Sequence, residues 1–104
     1  MIVRIVKLHI MSKDVKAFEA LFWKHHEDIQ SQPGCLGVTL MEDPEDPDVR
    51  ATFSRWESVA HLDAYRKSAL FGVVWPATKT LFRASPEVWT YTIASKEPEA
   101  IFDL

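Results

Sequence analysis

Apolar positions crowd the start of the chain. Ile2, Val3, Ile5, Val6, Leu8 and Ile10 fall in one stretch that holds neither glycine nor proline, which predicts a strand over 2–11. They occupy both parities, so both faces of this strand are expected to be covered, as at the centre of a sheet. The period then changes. Val15, Phe18, Phe22, His25 and Ile29 recur at spacings of three and four, a helical stripe that Leu21 widens on one side and His26 on the other. Ser12 or Asp14 is placed to cap this helix, and Pro33-Gly34 to stop it.

Alternation resumes over 35–42, with Leu36, Val38 and Leu40 on one face and Cys35, Thr39 and Met41 on the other. Residues 43–48 carry two prolines and four acids, which predicts a turn rather than a ladder. A third strand over 49–56 sets Val49, Ala51 and Phe53 against Arg50, Thr52, Ser54 and Trp56, and the short connection makes the pair an antiparallel hairpin. Ser58 is the expected cap of a second helix bearing Leu62, Tyr65 and Ala69. Gly72 is expected to interrupt that helix. Trp75-Pro76 then opens a short helix over 77–82, with proline in its first turn. A last strand is predicted over 88–94, followed by a charged tail that carries Ile101-Phe102.

The order β-α-β-β-α-β is the ferredoxin-like α+β plan: a four-stranded antiparallel sheet with its helices on one face. The opposite face must then be polar or covered. Here the first and second strands are apolar at both parities, and the last adds Val88, Trp89, Tyr91 and Ile93. Two copies packed face to face about a two-fold axis would cover that surface, so a homodimer is expected, with Ile101-Phe102 lying on the partner.

Composition narrows the function. A chain of 104 residues supports one modest core, so a single domain over 1–104 is expected. The net charge of −3 offers phosphate backbones no general attraction, which argues against nucleic acid. The first residues carry charges at Arg4 and Lys7 and lack the apolar run of a secretory signal, and no stretch approaches the roughly 20 apolar residues of a membrane span. The single cysteine, Cys35, fits a reducing compartment, and the expected location is cytoplasmic.

No Ser-His-Asp arrangement, Gly-rich phosphate loop or HExxH occurs, and no metal site is expected. The acidic segment 42–48 lacks the glycine of a calcium loop. His9 shares a strand face with Lys7, and His61 lies among Glu57 and Asp63. His25, within the apolar stripe beside Phe22, is either a base reaching a pocket between helix and sheet or a boundary histidine bonded through one nitrogen. The aromatic residues are more suggestive. Trp56 ends the third strand, Tyr65 lies on the inner stripe of the second helix, and Trp75 follows Gly72. Such residues are plain core, or they wall an apolar pocket and orient a planar ligand through a hydroxyl or indole N–H.

Thr52-Phe53-Ser54-Arg55-Trp56-Glu57-Ser58, followed by Tyr65, Ser68 and Phe71, resembles the antibiotic biosynthesis monooxygenase family, whose members are dimeric α+β barrels. The resemblance covers nearly the whole chain. One branch of that family oxidises polycyclic aromatic phenols with molecular oxygen and no cofactor. Its tryptophan corresponds to Trp56, but its asparagine and tyrosine partners correspond to Thr52 and Leu62. A second branch degrades haem. Its tryptophan corresponds to Tyr65, its haem-ligating histidine to Trp75 and its strand-one asparagine to Lys7, so no haem ligand is kept and no cofactor is expected.

The resemblance therefore implies a cofactor-independent monooxygenase acting on a small aromatic, phenolic or quinol compound. Trp56, Tyr65 and His25 would be its catalytic residues, and Thr52, Trp75, Phe71 and Phe22 would contact substrate. The alternative is a non-catalytic small-molecule-binding or interaction module on the same dimeric fold.

Overall fold

The computed structural model describes residues 1–94. In chain order they form β1 (Ile2–His9), a 3-10 turn (Ser12–Asp14), α1 (Val15–Gln30), β2 (Cys35–Asp43), β3 (Asp46–Trp56), α2 (Val59–Arg66), α3 (Ala69–Lys79) and β4 (Glu87–Thr92). The four strands make one antiparallel sheet in the order β2-β3-β1-β4, the ferredoxin-like α+β plan. β1 runs between β3 and β4, which accounts for its apolar residues at both parities.

Register assigns the faces. Ile2, Arg4, Val6 and Leu8 stand opposite Trp56, Ser54, Thr52 and Arg50. The helices pack over that face. Val6, Leu8 and Ile10 meet Phe18, Phe22 and Ile29 of α1 and Val38 of β2, and a second cluster joins Ile2, Trp56 and Leu62. Burying each such side chain contributes about 1.5–3 kcal/mol. Three polar ties fix α1 to the sheet, one of them the Val38 N–H donated to Gln30 Oε1 at 3.3 Å. The buried Arg50 donates through Nε and Nη2 to Glu19 Oε1, at 3.0 and 2.9 Å, while its Nη1 donates to the carbonyls of Pro47 and Val49. His26 Nε2 donates to the carbonyl of Val38 at 2.9 Å.

Several expected boundaries move, each for a local reason. β1 ends at His9, and Ile10 makes only an isolated bridge to Phe82. Neither Ser12 nor Asp14 caps α1 with its side chain: the Ser12 hydroxyl donates to the Asp48 carboxylate, and Asp14 pairs with Lys13. In β2, Cys35 faces Trp56 and Gly37 faces Arg55, so Leu36 is the extra residue of a bulge. Cys35 therefore turns to the core and Leu36 outward, the reverse of the expected faces.

The hairpin turn is only Pro44-Glu45, because Asp43 pairs with Asp46. Pro47 is tolerated inside β3 because it has no partner in β2 and its missing N–H removes no bond of that ladder. The second helical segment breaks at 67–68 rather than near Gly72. There the Ser68 hydroxyl accepts from the Phe71 N–H at 3.2 Å and starts α3, which carries Pro76 in its interior. Leu70 and Trp75 pack this helix onto the core, and packing offsets the poor local propensity. β4 closes at Thr92, two residues early. Ile101-Phe102 lies outside the described residues.

Candidate functional site

The core between helices and sheet is not filled. A cavity of about 290 Å³ lies there, bordered by β1, β3, all three helices and Val88 of β4. Thr52, Ser54 and Trp56 reach it because they alternate along one face of β3, and Phe22 reaches it from the inner stripe of α1. Tyr65, Phe71 and Trp75 complete the wall from α2 and α3. Six of the seven expected site residues thus converge: Trp56, Tyr65, Thr52, Trp75, Phe71 and Phe22. His25 is half-buried and does not line the cavity.

The aromatic residues form a continuous ladder. Trp56 stacks on Tyr65 with ring centroids 5.0 Å apart and planes at 22°. Tyr65 meets Phe71 edge-on at 5.3 Å, Phe71 stacks on Trp75 at 5.8 Å, and Trp75 meets Phe82 edge-on. Trp56 is 1% exposed, and its Nε1 donates to Ser54 Oγ at 3.0 Å. That hydroxyl donates in turn to the carbonyl of Arg4. The indole N–H is therefore committed within the protein, and Trp56 offers the cavity a ring rather than a donor.

Tyr65 differs. Among the described residues its hydroxyl takes no hydrogen bond, so it is available to a ligand. Burial, chiefly, pushes its pKa up to about 12, with the nearby Cys35 adding and Arg4 opposing. The phenol is thus a proton donor at ordinary pH, not a base. Burial also pushes the Cys35 thiol up, against the Gly37 backbone and Arg55, so Cys35 stays protonated.

The cavity holds two charges the sequence reading did not single out, Arg4 and Arg66. Arg4 sits on the helix-facing side of β1, where its strand neighbours Ile2, Val6 and Leu8 are buried. Its pKa is lowered first by burial and next by the guanidinium of Arg66, with Tyr65 opposing. A cation among Ile2, Val6 and Leu8, the apolar residues of its own parity, was the available signal.

His9, His61 and Asp46 are engaged in local ties. His9 Nε2 pairs with Glu87 at 2.9 Å. His61 Nδ1 accepts from the Ser58 hydroxyl at 2.8 Å, while that hydroxyl, as the expected cap, accepts the His61 N–H. Asp46 is held below the usual carboxylate range by the Asp48 N–H and also pairs with Arg83. Among the described residues no three of His, Cys, Asp or Glu gather in a group able to hold a metal ion. Nor is any helix there long and apolar enough to cross a membrane.

Comparison with known proteins adds a family. The family model described as antibiotic biosynthesis monooxygenase matches residues 1–74. No curated protein matches the chain. Among solved structures, one described as an antibiotic biosynthesis monooxygenase superposes with a TM-score of 0.83 at 21% identity, covering 90% of this chain and 99% of that one. Rv0793 of Mycobacterium tuberculosis gives 0.84 at 18% identity, covering 93% and 98%. A conserved protein of Methanosarcina mazei gives 0.82 at 21%, covering 88% and 91%. At these identities the likeness to solved structures establishes the fold.

Proposed function

Because the chain belongs to the antibiotic biosynthesis monooxygenase family, we propose that it is a cofactor-independent monooxygenase acting on a small planar phenol or quinol bound in the sheet–helix cavity. The observation that carries this reading is the free Tyr65 hydroxyl on an aromatic wall around some 290 Å³ of space. In such a reaction the substrate supplies all four electrons. One oxygen atom enters the ring, the other leaves as water, and the substrate loses two hydrogens. The protein's part is to exclude water, to stack the ring against Trp56 and Trp75, and to hold the phenolic oxygen through Tyr65. His25 does not line the cavity, so no role in the reaction is proposed for it.

The test is oxygen uptake with a panel of small quinols and naphthols. Uptake that saturates with substrate supports the enzyme. Tight binding without uptake supports the non-catalytic module instead, a reading favoured by Thr52 and Leu62 standing where the phenol-oxidising branch has its asparagine and tyrosine.

Tyr65→Phe is expected to leave stability at neutral pH within about 0.5 kcal/mol, since no protein hydrogen bond is lost. It should weaken a phenolic ligand by about 1 kcal/mol, more for a phenolate. The same variant isolates an alkaline effect. Unfolded, the phenol titrates near its ordinary value of 10.0; folded, near 12. Below pH 10 both states are protonated and the contribution is fully present. Between 10 and 12 the unfolded chain ionises first, so the native state loses about 2 kcal/mol as pH rises. Melting curves over that window should show the extra loss in the parent and not in Tyr65→Phe; parallel curves would remove Tyr65 from the buried wall.

We also propose that the active form is a homodimer joined through the open sheet face. That face presents Ile5 and Met41 with Trp89, 39% exposed, and Tyr91, 58% exposed. Monomers seldom leave such a patch to water. Sedimentation at micromolar concentration is expected to give a dimer that Trp89→Glu dissociates. A parent that sediments only as a monomer would refute it.

A further inference from the structure

Every charged side chain that lines the cavity is cationic. Arg4 projects from β1 and Arg66 from the C-terminal end of α2, and neither a carboxylate nor a histidine accompanies them. Among the described residues neither guanidinium makes a hydrogen bond or an ion pair. The protein pairs Arg50 and Arg83 with acids and ties Arg55 to the Leu36 carbonyl, so its other arginines are engaged. Burial first and the neighbouring Arg66 guanidinium second disfavour the charge of Arg4, which lines the cavity without a counter-ion. An anion bound in the cavity beside them would supply the missing opposite charge.

The same lining poses a question for the proposed reaction. A phenol must lose its proton before it can reduce oxygen, and no lining residue is a base. Tyr65 is the one neighbouring hydroxyl of acidic type, and it holds its own proton well above neutral pH.

We propose that Arg4 and Arg66 form an anion-binding pair that holds a phenol or enol as its oxyanion, with Tyr65 donating the third hydrogen bond. This rests on the preceding reading that the cavity binds a planar phenolic compound. The step is simple dissociation: the O–H bond of the bound phenol breaks, its electron pair stays on oxygen, and the proton leaves to solvent past Arg66, which is exposed. Guanidinium charge thus replaces a general base. The protein selects acidic phenols over their ethers, and over neutral quinones of the same shape.

The probe is 4-nitrophenol, whose phenolate absorbs in the visible, titrated with pH in the presence and absence of saturating protein. The groups facing it are Arg4 from β1 and Arg66 and Tyr65 from α2, with Cys35 near Tyr65 but outside the lining. The bound phenol is expected to ionise about 1–2 units lower than the free one, as for an acid beside an opposite charge. 4-Nitroanisole, its neutral ether, should bind at least ten-fold more weakly at pH 8. Arg66→Gln lies at an exposed position and should fold normally while losing about half of the shift; Arg4→Gln, checked by its melting curve, should lose most of it.

An unshifted ionisation with both probes binding equally would overturn the anion site and leave the phenol pocket standing. Arginine-dependent binding of 4-nitrobenzoate without any shift for the phenol would overturn it in favour of a carboxylate site. If no aromatic probe binds at all, the pocket reading itself fails and takes this inference with it.

Discussion

Trp56→Ala should destabilise the protein by about 3–5 kcal/mol, the range for removing a buried aromatic side chain. The upper end is expected, for a structural reason. Trp56 is 1% exposed and packs with Ile2 and Leu62, yet it also borders the existing cavity. Neighbours that already face empty space have little support from which to collapse into the gap. The two voids would merge, and the cost of a cavity grows with its volume. Ser54 would also lose its N–H donor, and Tyr65 its stacking partner. For a domain of this length the loss corresponds to a fall in melting temperature of roughly 15–25 °C. Trp56→Phe keeps a ring at the site and should cost less than half as much. Thermal denaturation of the two variants is the measurement. A Trp56→Ala loss below about 1 kcal/mol would show that the ring is not packed as described.

Gly34→Ala is expected to cost about 2–4 kcal/mol, although it adds a single methyl. Gly34 has φ of +77°, a left-handed conformation that charges an L side chain about 1–2 kcal/mol. A Cβ there would overlap His61 Cγ and lie 2.5 Å from His61 Cβ. The second contact is close to the backbone of α2 and cannot be relieved by rotating the imidazole, so overpacking adds about 1–3 kcal/mol. The carbonyl of Gly34 also accepts the Glu57 N–H at 2.8 Å, so the strain reaches the start of the helix that carries Tyr65. A double-mutant cycle separates the causes. In a His61→Gly background the overlap is gone, and Gly34→Ala should cost only the conformational part, about 1 kcal/mol. Equal costs in both backgrounds would mean that the close approach to His61 is wrong.

Much of this fold was legible because the period of apolar residues reports burial directly. Phe18, Phe22 and Ile29 repeat as a helix and are buried as one. Thr52, Ser54 and Trp56 alternate as a strand and share a face. What escaped were features set by backbone geometry rather than by pattern. The Leu36 bulge leaves no mark on alternation, yet it moves Cys35 inward. Pro76 looks like a helix start, but the start lies at Ser68, whose hydroxyl captures the Phe71 N–H before proline is reached.

The candidate site divides in the same way. Its aromatic wall was readable, because large rings at inward positions have few other places to go. His25 and His26 sit on neighbouring positions of one stripe, and only the folded chain shows His26 tied to Val38. Arg4 escapes notice because a cation in a strand, like Lys7 in the same one, is easily taken for an outward residue. Whether it points in depends on register against β3 and β4, which the local sequence does not contain.

β4 has a consequence for how this protein can change in length. Val88 stands opposite Val6 and closes the cavity, while its neighbour Trp89 stands opposite Ile5 on the other side of the sheet. One short edge strand therefore serves two surfaces through alternate residues. Loss or gain of one residue within it would carry the indole into the cavity and the valine out of it, damaging ligand space and outer face together. Point substitutions can tune either surface separately, since each touches one parity. Changes in length cannot, and only insertions or deletions of two residues leave both surfaces in their places.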